Sequence, residues 1–203
     1  MDQKQLMKNI DIEEDLLQEI AQEIHAIHAK WWVDINTGLP LDRNVGELIA
    51  LVHSEISEGY IGMLNNMQDD HLPHRPMAEV ELADAAIRIF DFVGGFELGP
   101  TVQYHYDAQM KDHAPYVNQF AKASYHEVFA KLQCAITAWL EHERKNRYEE
   151  ACSAMAEVLV KINYAAKRFG FDLNGAIQEK LEYNINRQDH KHEHRKQEDG
   201  KKF

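Results

Sequence analysis

Residues 44–64, NVGELIALVHSEISEGYIGML, and residues 77–93, MAEVELADAAIRIFDFV, carry the pattern from which the fold is predicted. Both stretches are mostly apolar and contain no proline, so each predicts a helix that is buried along much of its length. Asn44 precedes the first stretch and Glu47 follows three residues later, which is the spacing of an N-terminal helix cap. The loop over residues 65–76 contains two prolines and is expected to bring the two helices together as an antiparallel pair.

The rest of the chain predicts further helices, because glycine (10) and proline (5) are few and clustered and no strand-like alternation of useful length occurs. Gly170 is placed just after one helix, and Asp172 caps the next. Residues 96–117 predict irregular structure because they contain Gly-Pro and a further proline. We therefore predict an all-α bundle in one domain over residues 1–187, followed by a polar, partly mobile tail over residues 188–203. The remaining helices are predicted over about residues 11–30, 118–143, 147–169 and 172–187.

Composition excludes several classes of protein. The 22 lysine and arginine residues against 34 acidic residues give a net charge of −12, which disfavours a protein that tracks nucleic-acid phosphates. The two cysteines, Cys134 and Cys152, argue against a disulfide scaffold. No apolar run approaches the ~18–20 residues of a membrane-spanning helix, and the polar, acidic N-terminus is unlike a secretory signal. A cytoplasmic protein that binds neither nucleic acid nor membrane is the expectation.

Carboxylates form a narrow stripe on the two apolar helices. Glu55 and Glu58 lie three residues apart on the first, and Glu81 and Asp84 repeat the spacing on the second, so each pair lies on one helix face. Neither helix contains lysine, and Arg88 is the basic residue inside the second. Buried carboxylates need a compensating cation, and basic side chains are too scarce locally to supply it. The sequence therefore predicts a site for a hard divalent ion with oxygen ligands, Mg²⁺ or Mn²⁺.

Rival kinds of metal site require motifs that this chain lacks. A ferritin-like di-iron bundle requires Glu-x-x-His on two helices, and the chain contains none. The His-Asp dipeptide of HD-type phosphohydrolases and the Cys/His spacing of zinc sites are also absent. An ordinary solvated face is the remaining alternative, since acids at this spacing are common on any acidic helix.

The pattern Glu55-x-x-Glu58, then 22 residues, then Glu81-x-x-Asp84 resembles the MazG-like, all-α nucleoside triphosphate pyrophosphohydrolases, which also include dimeric dUTPases and dCTP pyrophosphatases. One position departs from the family. Many members have Glu-Glu-x-x-Glu in the first motif, whereas Ser54 stands in the leading position here. The departure implies that one carboxylate around the metal is missing.

Two outer segments extend the resemblance, which covers about residues 28–98 and 170–203. Residues 99–150 have no counterpart in the family and are interpreted as a helical insertion. The upstream segment matches at His28, Trp32, Asp42, Arg43 and Asn44. The C-terminal segment matches at Phe171, Asp172, Leu173, Lys180, Tyr183, Asn184, Arg187 and the ending 200–203.

The resemblance implies a Mg²⁺-dependent hydrolase that cleaves (d)NTP to (d)NMP and pyrophosphate by attack of water at the α-phosphorus. It also implies a homodimer or homotetramer, since the family closes the site with another subunit, and the host cytoplasm as the location of a phage-encoded member. Glu58 is the expected general base. The expected metal ligands are Glu55, Glu58, Glu81 and Asp84. The expected substrate-binding residues are His28, Trp32, Arg75, Lys180, Asn184 and Arg187.

Alternative functions and roles are compatible with the same residues. A non-catalytic nucleotide- or metal-binding regulator can share the fold, and a purely structural helical interaction protein belongs to another class. Trp32 can stack on a base or pack in the core, and Arg75 lies in a loop that can simply be solvated. Lys180, at i, i+4 and i+7 with Asn184 and Arg187, can belong to a plain polar face. The alternating histidines at 190, 192 and 194 are expected to lie in a solvated tail.

Overall fold

A computed structural model describes residues 10–13 and 16–186 of the chain. In these residues the chain forms eight α-helices, one short 3₁₀ helix and no strand, so the predicted all-α class is confirmed. Arg187, the histidines of the tail and the tail itself lie outside the described residues. The elements are α1 (Leu17–His28), the 3₁₀ helix (Ala29–Trp31), α2 (Val45–Asn65), α3 (Met77–Gly95), α4 (Gly99–Lys111), α5 (Ala114–Phe120), α6 (Tyr125–Arg144), α7 (Tyr148–Phe169) and α8 (Leu173–Asn186).

Local capping residues fix several helix ends where the sequence predicts them. The side chain of Asn44 accepts a hydrogen bond from the backbone N–H of Glu47 at 3.1 Å and starts α2. The carboxylate of Asp172 accepts one from the N–H of Gly175 at 3.0 Å and starts α8. Gly170 has φ of +73° and ends α7 in the left-handed region, where a side chain is unfavourable. These three predictions are confirmed.

The prediction of irregular structure over residues 96–117 is wrong, because this segment contains α4 and most of α5. Its prolines do not break the helices. Pro100 and Pro115 each lie in the first turn of a helix, where the missing N–H has no intrahelical partner to lose. The helix predicted from residue 118 begins instead at Tyr125, because Ser124 and Glu127 form a reciprocal capping box. The helix predicted from residue 11 begins at Leu17.

Helix α3 lies at the centre of the bundle and packs against α1, α2, α7 and α8. Helices α6 and α7 pack against each other, α6 also covers α2, and α4 packs against α1 and α7. The segment interpreted as an insertion is integral to this core. Its side chains Val102, Phe120, Leu132 and Trp139 are almost completely buried and belong to the same apolar cluster as α3. No helix among the described residues is long and apolar enough to cross a membrane.

Two close contacts set the position of the elements around the acids. A Cβ atom on Gly59 of α2 would lie 3.2 Å from the Cβ of Glu81, so α2 and α3 approach closely at the level of the carboxylates. A Cβ atom on Gly95, the last residue of α3, would lie 2.3 Å from the indole ring of Trp32. The chain after α1 therefore packs directly on the end of α3.

Candidate metal centre

Three of the four predicted acids converge between α2 and α3. Glu55 from α2 and Glu81 and Asp84 from α3 each offer a carboxylate oxygen, and the three oxygens lie within 4.8 Å of one another. Glu55 and Glu81 are each only 6% exposed, and Asp84 is half-buried. We call Glu55, Glu81 and Asp84 the acidic triad. The helix pairing that the sequence predicted thus brings the two acidic stripes face to face.

Glu58 is placed differently from the other acids. Its side chain is exposed and does not belong to the group of oxygens that lie within 4.8 Å. Three residues of an α-helix complete about 300° of rotation, so Glu58 lies roughly 60° around α2 from Glu55. The face of α2 that packs on α3 includes Glu55 and Gly59, which leaves Glu58 at its edge. The expected roles of Glu58 as ligand and as base remain predictions.

Two basic side chains reach the triad, which corrects the expectation that local cations are too scarce. Lys180 of α8 places its Nζ 2.8 Å from Oδ2 of Asp84, and the guanidinium of Arg88 on α3 pairs with Glu55. Lys180 is distant in the sequence, so its charge does not appear in the local pattern of α2 and α3. Among the residues that the structure describes, three carboxyl groups therefore face two cations, so with all three ionised one negative charge is left over.

Burial makes a negative charge on Glu81 unfavourable. Desolvation, together with the negative charges of Asp84 and Glu55, raises the pKa of Glu81 from 4.5 to about 9, and a hydrogen bond to Glu55 acts in the same direction. The pKa of Asp84 is raised to about 6 by its burial, although Lys180 opposes the shift. Without a further cation, Glu81 therefore holds a proton at neutral pH.

The negative charges of two acids, Asp84 and Asp69, act on Lys180. Burial lowers the pKa of this lysine, but the charge of Asp84 and a smaller contribution from Asp69 outweigh burial and raise it. Asp69 is 5% exposed, and its carboxylate accepts hydrogen bonds from the backbone N–H groups of His71 and Leu72. With Glu81 protonated, Arg88 and Lys180 balance the charges of Glu55 and Asp84, and Asp69 adds a further negative charge near Lys180.

The donor set fits a hard divalent cation. All three triad side chains offer oxygen, which Mg²⁺ and Mn²⁺ prefer, and no cysteine or histidine belongs to the group. The proton that Glu81 holds would leave when such an ion binds, because the ion's charge favours the carboxylate form. The triad can therefore hold one ion, with Glu58 one helical turn beyond it.

Arg75, predicted to bind substrate, instead forms hydrogen bonds with three acidic side chains of the protein. Its guanidinium donates to Glu79 at 2.6 Å, to Glu179 at 2.8 and 3.0 Å and to Asp172 at 3.2 Å. These bonds join the loop before α3 to the start of α3 and to α8. Arg75 thus helps to hold α8, and with it Lys180, in position beside the triad.

The other predicted substrate-binding residues are divided between two elements. Lys180 is only 4% exposed and bonded to Asp84, whereas Asn184 lies one turn later on α8 and is half-buried. Trp32 donates its indole N–H to Asp91 at 3.0 Å, and its ring contacts Phe96 with centroids 5.3 Å apart. These contacts favour a packing role for Trp32.

His28 approaches the same carboxylate as Trp32. Its Nδ1 lies 3.9 Å from Oδ2 of Asp91, and Asp91 also bonds His25 Nδ1 at 2.8 Å. Burial lowers the pKa of His28, although the charge of Asp91 opposes the shift. Asp91 lies seven residues after Asp84, on the same face of α3. The acidic triad and the histidines around Asp91 are therefore neighbours along one helix.

Three residues of this region were missed or undervalued from the sequence. Arg88 and Asp91 continue the spacing of Glu81 and Asp84, so helical periodicity identified their face and indicated pairing with neighbouring acids, which Arg88 shows with Glu55. Asp69 lies in an irregular loop, where no periodicity predicts the direction of a side chain. His71 of the same loop contacts Tyr183 of α8, with ring centroids 4.6 Å apart, so the loop lies against α8.

Comparisons of the chain with protein-family models, with curated proteins and with solved structures found no match. The likeness to MazG-like hydrolases therefore depends on the motifs quoted above.

Proposed function

We propose that this protein is a Mg²⁺-dependent nucleoside triphosphate pyrophosphohydrolase, which converts (d)NTP and water to (d)NMP and pyrophosphate. The observation that carries the proposal is the acidic triad, three carboxyl groups on two apolar helices with oxygens within 4.8 Å. A third carboxyl group beside two paired ones is costly, because Glu81 must either carry an unmatched buried charge or keep its proton at neutral pH. A divalent ion removes that cost.

The proposed reaction breaks the bond between the α-phosphorus and the oxygen that bridges to the β-phosphorus. Water attacks the α-phosphorus, the bridging oxygen keeps the electron pair, and pyrophosphate leaves. Glu58 accepts the proton of the attacking water, since it is exposed and lies beside the triad on α2. A bound divalent ion supplies the positive charge that offsets charge on the leaving group.

The remaining residues bind and orient the substrate in this proposal. Glu55, Glu81 and Asp84 hold the ion, while Lys180 and Asn184 on α8 contact phosphates after Lys180 leaves Asp84. Arg75 keeps α8 in place through Glu179 and Glu79. Arg187 also binds phosphate in this proposal, and the protein forms a homodimer or homotetramer. Light scattering of the purified protein tests the assembly.

The ion pairs of the triad favour a second candidate. Because Lys180 and Arg88 already neutralise two carboxylates, the same fold can bind nucleotide and metal without catalysing hydrolysis. Such a protein would be a regulator. Binding without turnover is the result that distinguishes it from the enzyme.

Product analysis tests the proposal. Each dNTP and NTP is incubated with the protein and Mg²⁺, and the products are separated by anion exchange. We expect equimolar monophosphate and pyrophosphate, no activity in EDTA, and label from ¹⁸O-water in the monophosphate. Glu81→Gln should lower turnover by orders of magnitude, whereas Glu150→Gln on the exposed start of α7 should not. Diphosphate and inorganic phosphate as products would contradict the assignment, and tight binding without products would identify a regulator.

A further inference from the structure

Arg88 occupies a distinctive place beside the triad. It lies four residues after Asp84 and seven after Glu81, so it shares their face of α3. Its guanidinium pairs with Glu55, yet its side chain is 38% exposed. Lys180, the other cation of the site, has a side chain that is only 5% exposed. Of the two cations, Arg88 is therefore the one that an incoming ligand reaches from solvent.

Arg88 also stands between the triad and the group around Asp91. Its charge opposes the rise in the pKa of Asp84 on one side and contributes to lowering the pKa values of His28 and Arg43 on the other. The ring of Trp32 lies under Arg43, 5.4 Å from the guanidinium carbon. An anion placed beside Arg88 would thus lie next to the metal ligands and near a second arginine.

Glu55, the partner of Arg88, is one of the proposed metal ligands. A divalent ion at the triad competes with Arg88 for the oxygens of Glu55, because both are cations that bind the same carboxylate. Once the ion neutralises Glu55, the guanidinium no longer has its carboxylate partner. A planar guanidinium with several donors suits phosphate oxygens, which it binds in a forked geometry.

We propose that Arg88 is a phosphate-binding residue which Glu55 holds in the absence of metal and which metal binding releases to the triphosphate. The inference rests on the proposed function, since it takes the triad as the metal site. Metal binding and triphosphate binding therefore favour each other. The metal displaces Arg88 from Glu55 so that it can bind phosphate, and bound phosphate keeps Arg88 away from Glu55. Arg88 contacts phosphate and not the metal.

Binding measurements test two parts of the proposal separately, the competition of Arg88 with the metal for Glu55 and the binding of phosphate by Arg88. Mn²⁺ alone is titrated into the protein and free Mn²⁺ is followed by electron paramagnetic resonance. Inorganic triphosphate is then titrated calorimetrically into protein with saturating Mn²⁺, which makes the result independent of the base. The variants are Arg88→Gln, which removes the charge, and Arg88→Lys, which keeps the charge without the fork. Arg144→Gln, which removes an exposed arginine from the end of α6, is the matched control.

We expect opposite effects on the two ligands. Arg88→Gln should bind Mn²⁺ several-fold more tightly than wild type, because Glu55 has lost its competing cation, and should bind triphosphate about tenfold or more weakly, because a charged hydrogen-bonding partner is missing. Arg88→Lys should retain wild-type Mn²⁺ affinity and lose part of the triphosphate affinity. Arg144→Gln should change neither.

Three contrary outcomes would overturn the inference. If wild type binds Mn²⁺ but Arg88→Gln leaves triphosphate affinity unchanged, Arg88 is not a phosphate ligand, while the proposed function stands. If Arg88→Gln weakens Mn²⁺ and triphosphate together, Arg88 only supports the structure of the triad. If wild type and Glu81→Gln bind Mn²⁺ equally weakly, the metal centre itself is refuted, and the proposed function fails with it.

Discussion

Glu81→Gln replaces a buried carboxyl group of the acidic triad with a neutral amide of nearly the same shape. In the metal-free protein the pKa of Glu81 is raised from 4.5 to about 9, first by burial and then by the negative charges of Asp84 and Glu55. The protonated form of Glu81 hydrogen-bonds to Glu55, and a glutamine amide can donate in the same way. The substitution therefore keeps the contact and removes the titration.

The size of the effect follows from the two pKa values. Between pH 4.5 and pH 9 the unfolded chain has lost the proton that the folded protein keeps, so wild-type stability falls as pH rises, by about 1.4 kcal/mol per unit. At pH 7 this amounts to about 3 kcal/mol, which Glu81→Gln recovers. At pH 4.5 and below, both states are protonated and the gain disappears.

Urea unfolding in EDTA, followed by circular dichroism from pH 5 to pH 8, measures this difference. The variant should gain stability over wild type as pH rises, and Glu150→Gln should show no such gain. Mg²⁺ at one hundred times its dissociation constant should raise wild-type stability by about 2.7 kcal/mol, which removes most of the difference at pH 7. If the variant in EDTA is less stable than wild type by a constant amount at every pH, Glu81 is ionised and satisfied without metal, and the triad does not need a further cation.

Three further predictions concern the scaffold. Arg75 lowers the pKa of Glu179 to about 2, so this ion pair stabilises the fold above pH 4.5 and its contribution is lost as pH falls toward 2. Glu179→Gln should therefore cost about 0.5–1 kcal/mol at pH 7, a small value because Glu179 is partly solvated, and urea midpoints should converge with wild type near pH 2. Gly95→Ala should lower stability by about 1–3 kcal/mol and alter tryptophan fluorescence, because the new methyl group collides with the indole of Trp32; unchanged fluorescence and melting would show that the ring packs elsewhere. Gly170→Ala meets no atom within 4 Å but requires φ of +73°, so thermal melting should reveal a loss of about 1 kcal/mol from backbone strain alone.

Local sequence signals specify the helices and many of their ends. Asn44 and Asp172 each cap a helix with their own side chain, and Gly170 supplies a left-handed conformation, so these signals act within a few residues. The same locality explains the error over residues 96–117. A proline either breaks a helix or occupies its first turn, and the surrounding packing of α4 and α5 decides between the two.

The acidic stripes were also predictable from the sequence, since residues three apart on a helix share a face whatever the rest of the fold does. Glu55, Glu81 and Asp84 converge as the pattern predicted. Glu58 lies at the edge of that face, because the rotation of α2 about its axis is set by packing against α3 and α6 and not by the stripe alone.

The cations that accompany the acids depend on the tertiary structure. Lys180 reaches Asp84 from a helix at the other end of the chain, and Arg75 joins Glu179 across 104 residues. Charge attracts any opposite charge within reach, so the sequence lists the ionic groups but leaves their pairing open. The docking of α8 on α3 brings Lys180 to Asp84, and this contact leaves Arg88, one turn further along α3, to pair with Glu55 at the exposed end of the site.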